Sequence, residues 1–276
     1  MRFISNFFGL PHNFGTHEVL MLIEGEIFSW DGRKVTQVGG SGLGHCLCIH
    51  NGDLIEGGPG AVINYGNDKM YNNDEDGPVD AVCSHMGTLY EAYFRFKGLQ
   101  FTTGIASVVR ESLTNVVVAQ RQRRIMSLCS HLGVLYDGSD VSTVYETMTG
   151  RLVIDGCDAD VLCSHDGHLY AGGEKGMVYN VLTGQPVARR ESGISGLCSV
   201  GGHLYDSSRE GIYATLSGRR VLDYAQIKVR TKVYPRGRKM NGSVIYSMIP
   251  TEKQLVHKFV TLIKGDPRWW DEALNK

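Results

Sequence analysis

The chain has 276 residues, 42% of them hydrophobic and 21% charged, with 35 Gly and a formal net charge of −1. That length makes one large domain or two small ones with ample apolar content for a core. The near-zero charge excludes a global field drawing the chain to nucleic acid or a membrane. Seven Cys, an odd number without a pattern of paired spacings, make no disulfide framework and point to a reducing, cytoplasmic compartment. The N-terminus has no continuous apolar stretch ahead of a small-residue cleavage site, and no run of 18 apolar residues occurs. Neither a secretory signal nor a membrane span is expected.

From the N-terminus, HEVLMLIE and EIFSWDGRKVTQV read as three strands. A repeat follows. CLCIHNGDLI (46–55), AVCSHMGTLY (81–90), SLCSHLGVLY (127–136), VLCSHDGHLY (161–170) and GLCSVGGHLY (196–205) share one pattern, and Cys48, Cys83, Cys129, Cys163 and Cys198 recur at intervals of 35, 46, 34 and 35 residues. Five matches at nearly constant spacing define a tandem repeat. In the fourth unit ADVLCSH is a strand, Asp166-Gly167 a two-residue hairpin turn, HLYAGG a second strand, MVYNVL a third ending at Thr183-Gly184, and QPVARRES a fourth. Four antiparallel strands in about 35 residues, repeated in tandem, form the blade of a β-propeller. One twisted sheet cannot bury both faces alone, so the blades must stack.

With this strand, Asp-Gly turn and LYAGGEKGMVYNVLTG cadence, the repeat resembles the WD-repeat and kelch-like propeller families over most of residues 18–225. It lacks their Gly-His and Trp-Asp signatures, apart from a lone Trp30-Asp31. The resemblance implies an architecture and leaves the function open. The expected fold is all-β: about six four-stranded blades over residues 1–250. Five start near 45, 79, 125, 159 and 194. A composite sixth joins the N-terminal strands to QIKVRTKVY (226–234) or GSVIYSMI (242–249), closing the ring. A seventh blade would form if those C-terminal strands stood alone. The unit beginning near 79 is about eleven residues longer than the others. Residues 251–276 are expected to form a helical tail packed on the propeller, with Thr251 as N-cap, an apolar stripe of Leu255, Phe259 and Leu262, and Trp269 and Trp270 as anchors.

A Cys, a Ser and two His within ten residues suggest a nucleophile or a zinc site, but repetition argues otherwise. Packed sheets lie about 10 Å apart, too far for disulfides or shared thiolate zinc ligation, so the repeated Cys is expected as a small buried hydrophobe. His50, His85, His131 and His165 precede the hairpin, where bonds to turn backbone are expected. Cys46, Cys48 and His50 share one strand face and are a metal candidate; Ala81, Ser127, Val161 and Gly196 at the Cys46 position favour plain packing.

Positions that vary between blades are better functional candidates. His45, Asp80, Met126, Asp160 and Ser195 stand three residues before each repeated Cys. On innermost strands they open to the channel mouth, where His45, Asp80 and Asp160 are candidate ligands for a divalent cation or polar group. The basic segment 226–240 carries Lys228, Arg230, Lys232, Arg236, Arg238 and Lys239 without an acid between Asp223 and Glu252. It is a candidate surface for nucleic acid or nucleoprotein, or an edge guarded against aggregation. Arg121–Arg124 (RQRR) is a second basic site, Asp74–Asp76 a solvated acidic turn, and Tyr90, Tyr93, Phe94, Phe96 and Phe101 are expected as strand core or, with the insertion, as an interaction surface. No Ser-His-Asp set, phosphate loop or strong metal motif rises above the repeat, so no catalytic residue is assigned and no cofactor is expected. The sequence reads best as a non-catalytic cytoplasmic scaffold binding a protein partner. The alternatives are a metal-dependent hydrolase or lyase at the channel mouth, and nucleic-acid or nucleoprotein binding through 226–240.

Overall fold

The computed structural model describes residues 19–23, 26–30, 35–39, 44–58, 61–67, 69–72, 77–94, 107–223, 238–240 and 243–245. The N-terminal strands pair as an antiparallel sheet of three: β1 (Val19–Ile23), β2 (Glu26–Trp30) and β3 (Val35–Gly39). Five four-stranded sheets follow, each paired in sequence order. The first blade is β4 (Cys46–His50), β5 (Asp53–Gly58), β6 (Ala61–Asn64) and β7 (Lys69–Asn72). The second is β8 (Val79–His85), β9 (Thr88–Phe94), β10 (Ser107–Glu111) and β11 (Val117–Arg121). The third is β12 (Ile125–His131), β13 (Val134–Ser139), β14 (Thr143–Glu146) and β15 (Leu152–Asp155), and the fourth is β16 (Val161–His165), β17 (His168–Gly172), β18 (Met177–Asn180) and β19 (Gln185–Arg189). The fifth is β20 (Gly196–Val200), β21 (His203–Ser208), β22 (Gly211–Ala214) and β23 (Arg219–Asp223). The chain is a β-propeller.

The blade count expected from sequence is corrected: the described residues hold five four-stranded blades, not six or seven. The closing strand is the reason. β25 (Ser243–Ile245) pairs with β24 (Arg238–Met240) in a sheet of two instead of joining the N-terminal sheet. Hairpin partners are local, and a short strand reaches its chain neighbour at less entropic cost than a sheet two hundred residues away. Residues 226–234 lie outside the described residues, as do the predicted tail at 251–276, the bulk of the long-unit insertion at 95–106, and Asp74–Asp76. Among the described residues there is no helix, and none long and apolar enough to cross a membrane.

The core lies between blades. Cys46, Cys48, Ile55 and Val62 of the first blade pack on Val79, Val82, Leu89 and Tyr93 of the second. Cys83 and Tyr90 of the second meet Ile125, Leu128 and Leu135 of the third. Cys129 and Tyr136 meet Ala159 and Leu169 of the fourth, and Cys163 and Tyr170 meet Ile194, Leu197 and Leu204 of the fifth. Ile27 of β2 packs on Leu47 and Leu54, placing the N-terminal sheet against the first blade. Alternation along each inner strand therefore sends the repeated Cys toward the next blade and the residue before it toward the preceding one.

Each blade turns from its first to its second strand through two left-handed residues: Asn51-Gly52, Met86-Gly87, Leu132-Gly133, Asp166-Gly167 and Gly201-Gly202. This is the hairpin turn whose twist matches the strands. In four blades the third-to-fourth turn also repeats: Asn115, Gly150, Gly184 and Gly218 donate their backbone N–H to the carbonyls of Glu111, Glu146, Asn180 and Ala214, at 2.8–2.9 Å.

Candidate functional site

The repeated His does not bond the turn backbone; only the side chain of turn residue Asn51 reaches one of them, its Nδ2 lying 3.1 Å from His50 Nε2. The structure corrects that expectation: His50 Nδ1 lies 3.0 Å from Ser84 Oγ, and His85, His131 and His165 Nδ1 lie 2.8 Å from Ser130, Ser164 and Ser199 Oγ. Every one of these bonds joins a blade to its successor. His faces forward and Ser faces back because Ser precedes His by one residue, and neighbours on a strand point to opposite faces. The pattern has two ends. Ile49 replaces Ser in the first blade, packing beside Ile27, and Val200 replaces His in the fifth. Burial pushes the four His below their ordinary pKa, keeping them neutral and fit for this bond.

The seven cysteines are free and buried. Desolvation pushes the Cys83 and Cys198 thiols up to about 12 and holds Cys46, Cys48, Cys129 and Cys163 well above the ordinary value. A buried thiol held in its neutral form is a poor nucleophile, and the His beside it is already bonded to a serine of the next blade. The Cys46, Cys48 and His50 metal candidate dissolves similarly: Cys46 Sγ donates weakly to the Gly57 carbonyl at 3.7 Å, and His50 is bonded to Ser84.

Charges also stitch neighbouring blades. Arg121 forks onto Asp137 at 2.8 and 2.9 Å, and Arg190 onto Asp206 at 2.6 and 2.8 Å. Both carboxylates are fully buried, and each guanidinium lies over a tyrosine, Tyr145 or Tyr213. Desolvation pushes both carboxyls up while the Arg partner pulls them down. Arg124 forks onto Asp80. Arg121 and Arg124 of the RQRR run therefore serve internal ion pairs. Tyr90 and Tyr93 are core, and Phe96 and Phe101 lie outside the described residues.

The inner strands enclose a channel of about 780 Å³, and His45, Asp80 and Asp160 all line it. Among the described residues no three His, Cys, Asp or Glu stand close enough to hold a metal ion. Asp80 is the extra residue of a β-bulge in β8 and is held by Arg124 at 2.6 and 2.8 Å. Asp160 differs: desolvation, with Glu174, Asp158 and Asp140, raises its carboxyl to about 6 against one stabilising bond from the Glu174 N–H at 3.2 Å. Of the basic candidates, Lys228, Arg230, Lys232 and Arg236 lie outside the described residues; Arg238 and Lys239 are on β24.

A feature that sequence reasoning missed is the opposite rim. In an antiparallel blade the first-to-second and third-to-fourth turns share one face, and the remaining links share the other. On the first face Met86 is 82% and Leu132 77% exposed, and both are left-handed, at φ 48° and 46°. Leu113, Met148, Leu182 and Leu216 occupy one equivalent place in four third-to-fourth turns and are all exposed. The signal was available: Asn, Asp and Gly fill the Met86 position in the other three blades, as a left-handed turn prefers.

No protein-family model matches the chain, and no curated protein matches it in sequence. Among solved structures, the WD40 β-propeller domain of Doa1 is similar with a TM-score of 0.49 and 13% identity, over 75% of this chain and 78% of that one. The Neurospora crassa Pan2 WD40 domain has a TM-score of 0.49 and 11% identity over 73% and 74% of the two chains. The computationally designed Ika8 protein has a TM-score of 0.45 and 14% identity over 74% and 73%.

Proposed function

We propose that this β-propeller is a non-catalytic scaffold of a reducing cytoplasm that docks a protein partner on the rim carrying Met86 and Leu132. The exposed apolar turns support this reading best. A bulky side chain in the left-handed region costs roughly 1 kcal/mol, and these two gain no compensating burial within the fold. With Leu113, Met148, Leu182 and Leu216 they put apolar anchors on one face of four consecutive blades, the kind of surface that marks protein association. The buried free thiols fit the compartment.

The test is affinity purification from the native source with the wild-type chain and with a Met86→Asn, Leu132→Asn, Leu182→Ser variant. The expected result is a protein retained by the wild type and lost by the variant, which melts no lower because Asn suits the turn. A protein retained equally by both would refute the proposal, as would recovery of nothing above an untagged control. A hydrolase or lyase at the channel mouth has less support, since Asp80 is committed to Arg124. Nucleic-acid binding rests on the charge of segment 226–240 alone.

A further inference from the structure

The channel has levels set by strand alternation. Two residues separate His45, Asp80 and Asp160 at one end from Leu47, Val82 and Leu162, which with Leu128 and Leu197 make an aliphatic level. Two residues further, Ser84, Ser130, Ser164 and Ser199 are taken up by the His bonds. A volume of about 780 Å³ falls within the usual size of small-molecule sites, which combine apolar walls with few polar groups.

We propose that the channel binds a small molecule with a compact apolar body and a cationic head, the body seated at the aliphatic level and the head at Asp160 beside Glu174. Asp160 is only partly buried and, among the described residues, accepts a single hydrogen bond, from a backbone N–H. Gly173 makes room for it: a Cβ there would fall 2.8 Å from Asp160 Oδ2. The charged side chains acting on Asp160 are the acids Glu174, Asp158 and Asp140, and the nearby Lys175 is paired with Asp158 at 3.2 Å. Among the described residues, the cavity's other charged lining groups are Asp80, which Arg124 holds, and Arg209. An ammonium would supply the counter-charge that Asp160 lacks, and the aliphatic level would exclude water from the body.

The inference goes beyond the docking rim, which lies on the opposite face. It is tested by calorimetric titration with 1-adamantanamine, 1-adamantanol and 1-adamantanecarboxylate, which share one body and differ in head. The amine is expected to bind saturably, the alcohol about tenfold more weakly and the carboxylate not at all. Asp160→Asn should reduce the amine to the level of the alcohol with no loss of melting temperature. Amine affinity should fall as pH drops through about 6, where Asp160 takes up a proton, and the Asp160→Asn variant should lose that trend. Equal binding of amine and alcohol, an unchanged Asp160→Asn variant, or no saturable amine binding would each overturn the proposal. Met86→Asn with Leu132→Asn should leave amine binding intact, so failure of the rim and failure of the channel are distinguishable.

Discussion

The Ser-His bond between blades can be measured through His131 and Ser164, at the middle of the series. Ser164→Ala deletes the partner of His131 Nδ1 while the ring stays 2% exposed, and Nε2 already has no partner among the described residues. An imidazole buried with neither nitrogen bonded costs about 1–3 kcal/mol. His131→Val copies the fifth blade, where Val200 is buried at this position. It leaves Ser164 beside the channel, where water can satisfy the hydroxyl, so its cost should be near 1 kcal/mol. The double variant should then be no worse than Ser164→Ala alone, giving a coupling of about 1 kcal/mol. Urea unfolding of all four proteins at equal m-values measures it. Thermal midpoints should follow at about 2–4 °C per kcal/mol for a domain of this size. Additive single effects, within about 0.3–0.5 kcal/mol, would refute the reasoning, because the serine and histidine would then be independent.

The same histidine should report pH. Burial, then His168, hold the His131 pKa below its ordinary value, so the unfolded chain binds the proton more readily than the folded one. Its contribution is therefore full above about pH 6.5 and lost as pH falls through the lowered value, at no more than about 1.4 kcal/mol per pH unit. The cost of His131→Val should shrink between pH 7.5 and 5.5 on about that scale; a constant cost across the range would show that the bond does not depend on a neutral ring. Arg190→Met should destabilise by about 3–5 kcal/mol, because Asp206 stays fully buried without its partner. Adding Asp206→Leu should recover most of that loss in urea unfolding, and a loss below about 1 kcal/mol for Arg190→Met would mean that water reaches the carboxylate. Met86→Asn should stabilise by roughly 0.5–1 kcal/mol through relief of the left-handed turn; destabilisation would show that Met86 contributes packing its 82% exposure conceals.

Much of the architecture was legible in the chain because a repeat states its own period. The Asp166-Gly167 turn pair and the recurrent Cys placed four strands per unit, and the variable positions His45, Asp80 and Asp160 line the channel. The role of His was misjudged because a single unit shows its local turn and not its neighbour. The clue was an offset between columns: the first unit has His without Ser, and the fifth has Ser without His. The aromatic residues of the second blade read first as strand core, and Tyr90 and Tyr93 are buried there, whereas the exposed apolar residues of that blade are Met86 and Leu113. Periodicity assigns a residue to a strand face; it does not say which turn residues find cover.

What the sequence by itself determined is everything local and repeated: strand alternation, left-handed turns, and the burial of Cys between sheets, since these follow from backbone sterics and hydrophobic spacing within some 35 residues. Tertiary structure decided what depends on a second unit. It set which blade receives each His, which Arg completes Asp137 or Asp206, and that Asp80 is neutralised by Arg124 while Asp160 is left among acids. Those outcomes rest on the relative placement of groups far apart in the chain, and distance along a sequence carries no electrostatic or steric information until the blades are packed.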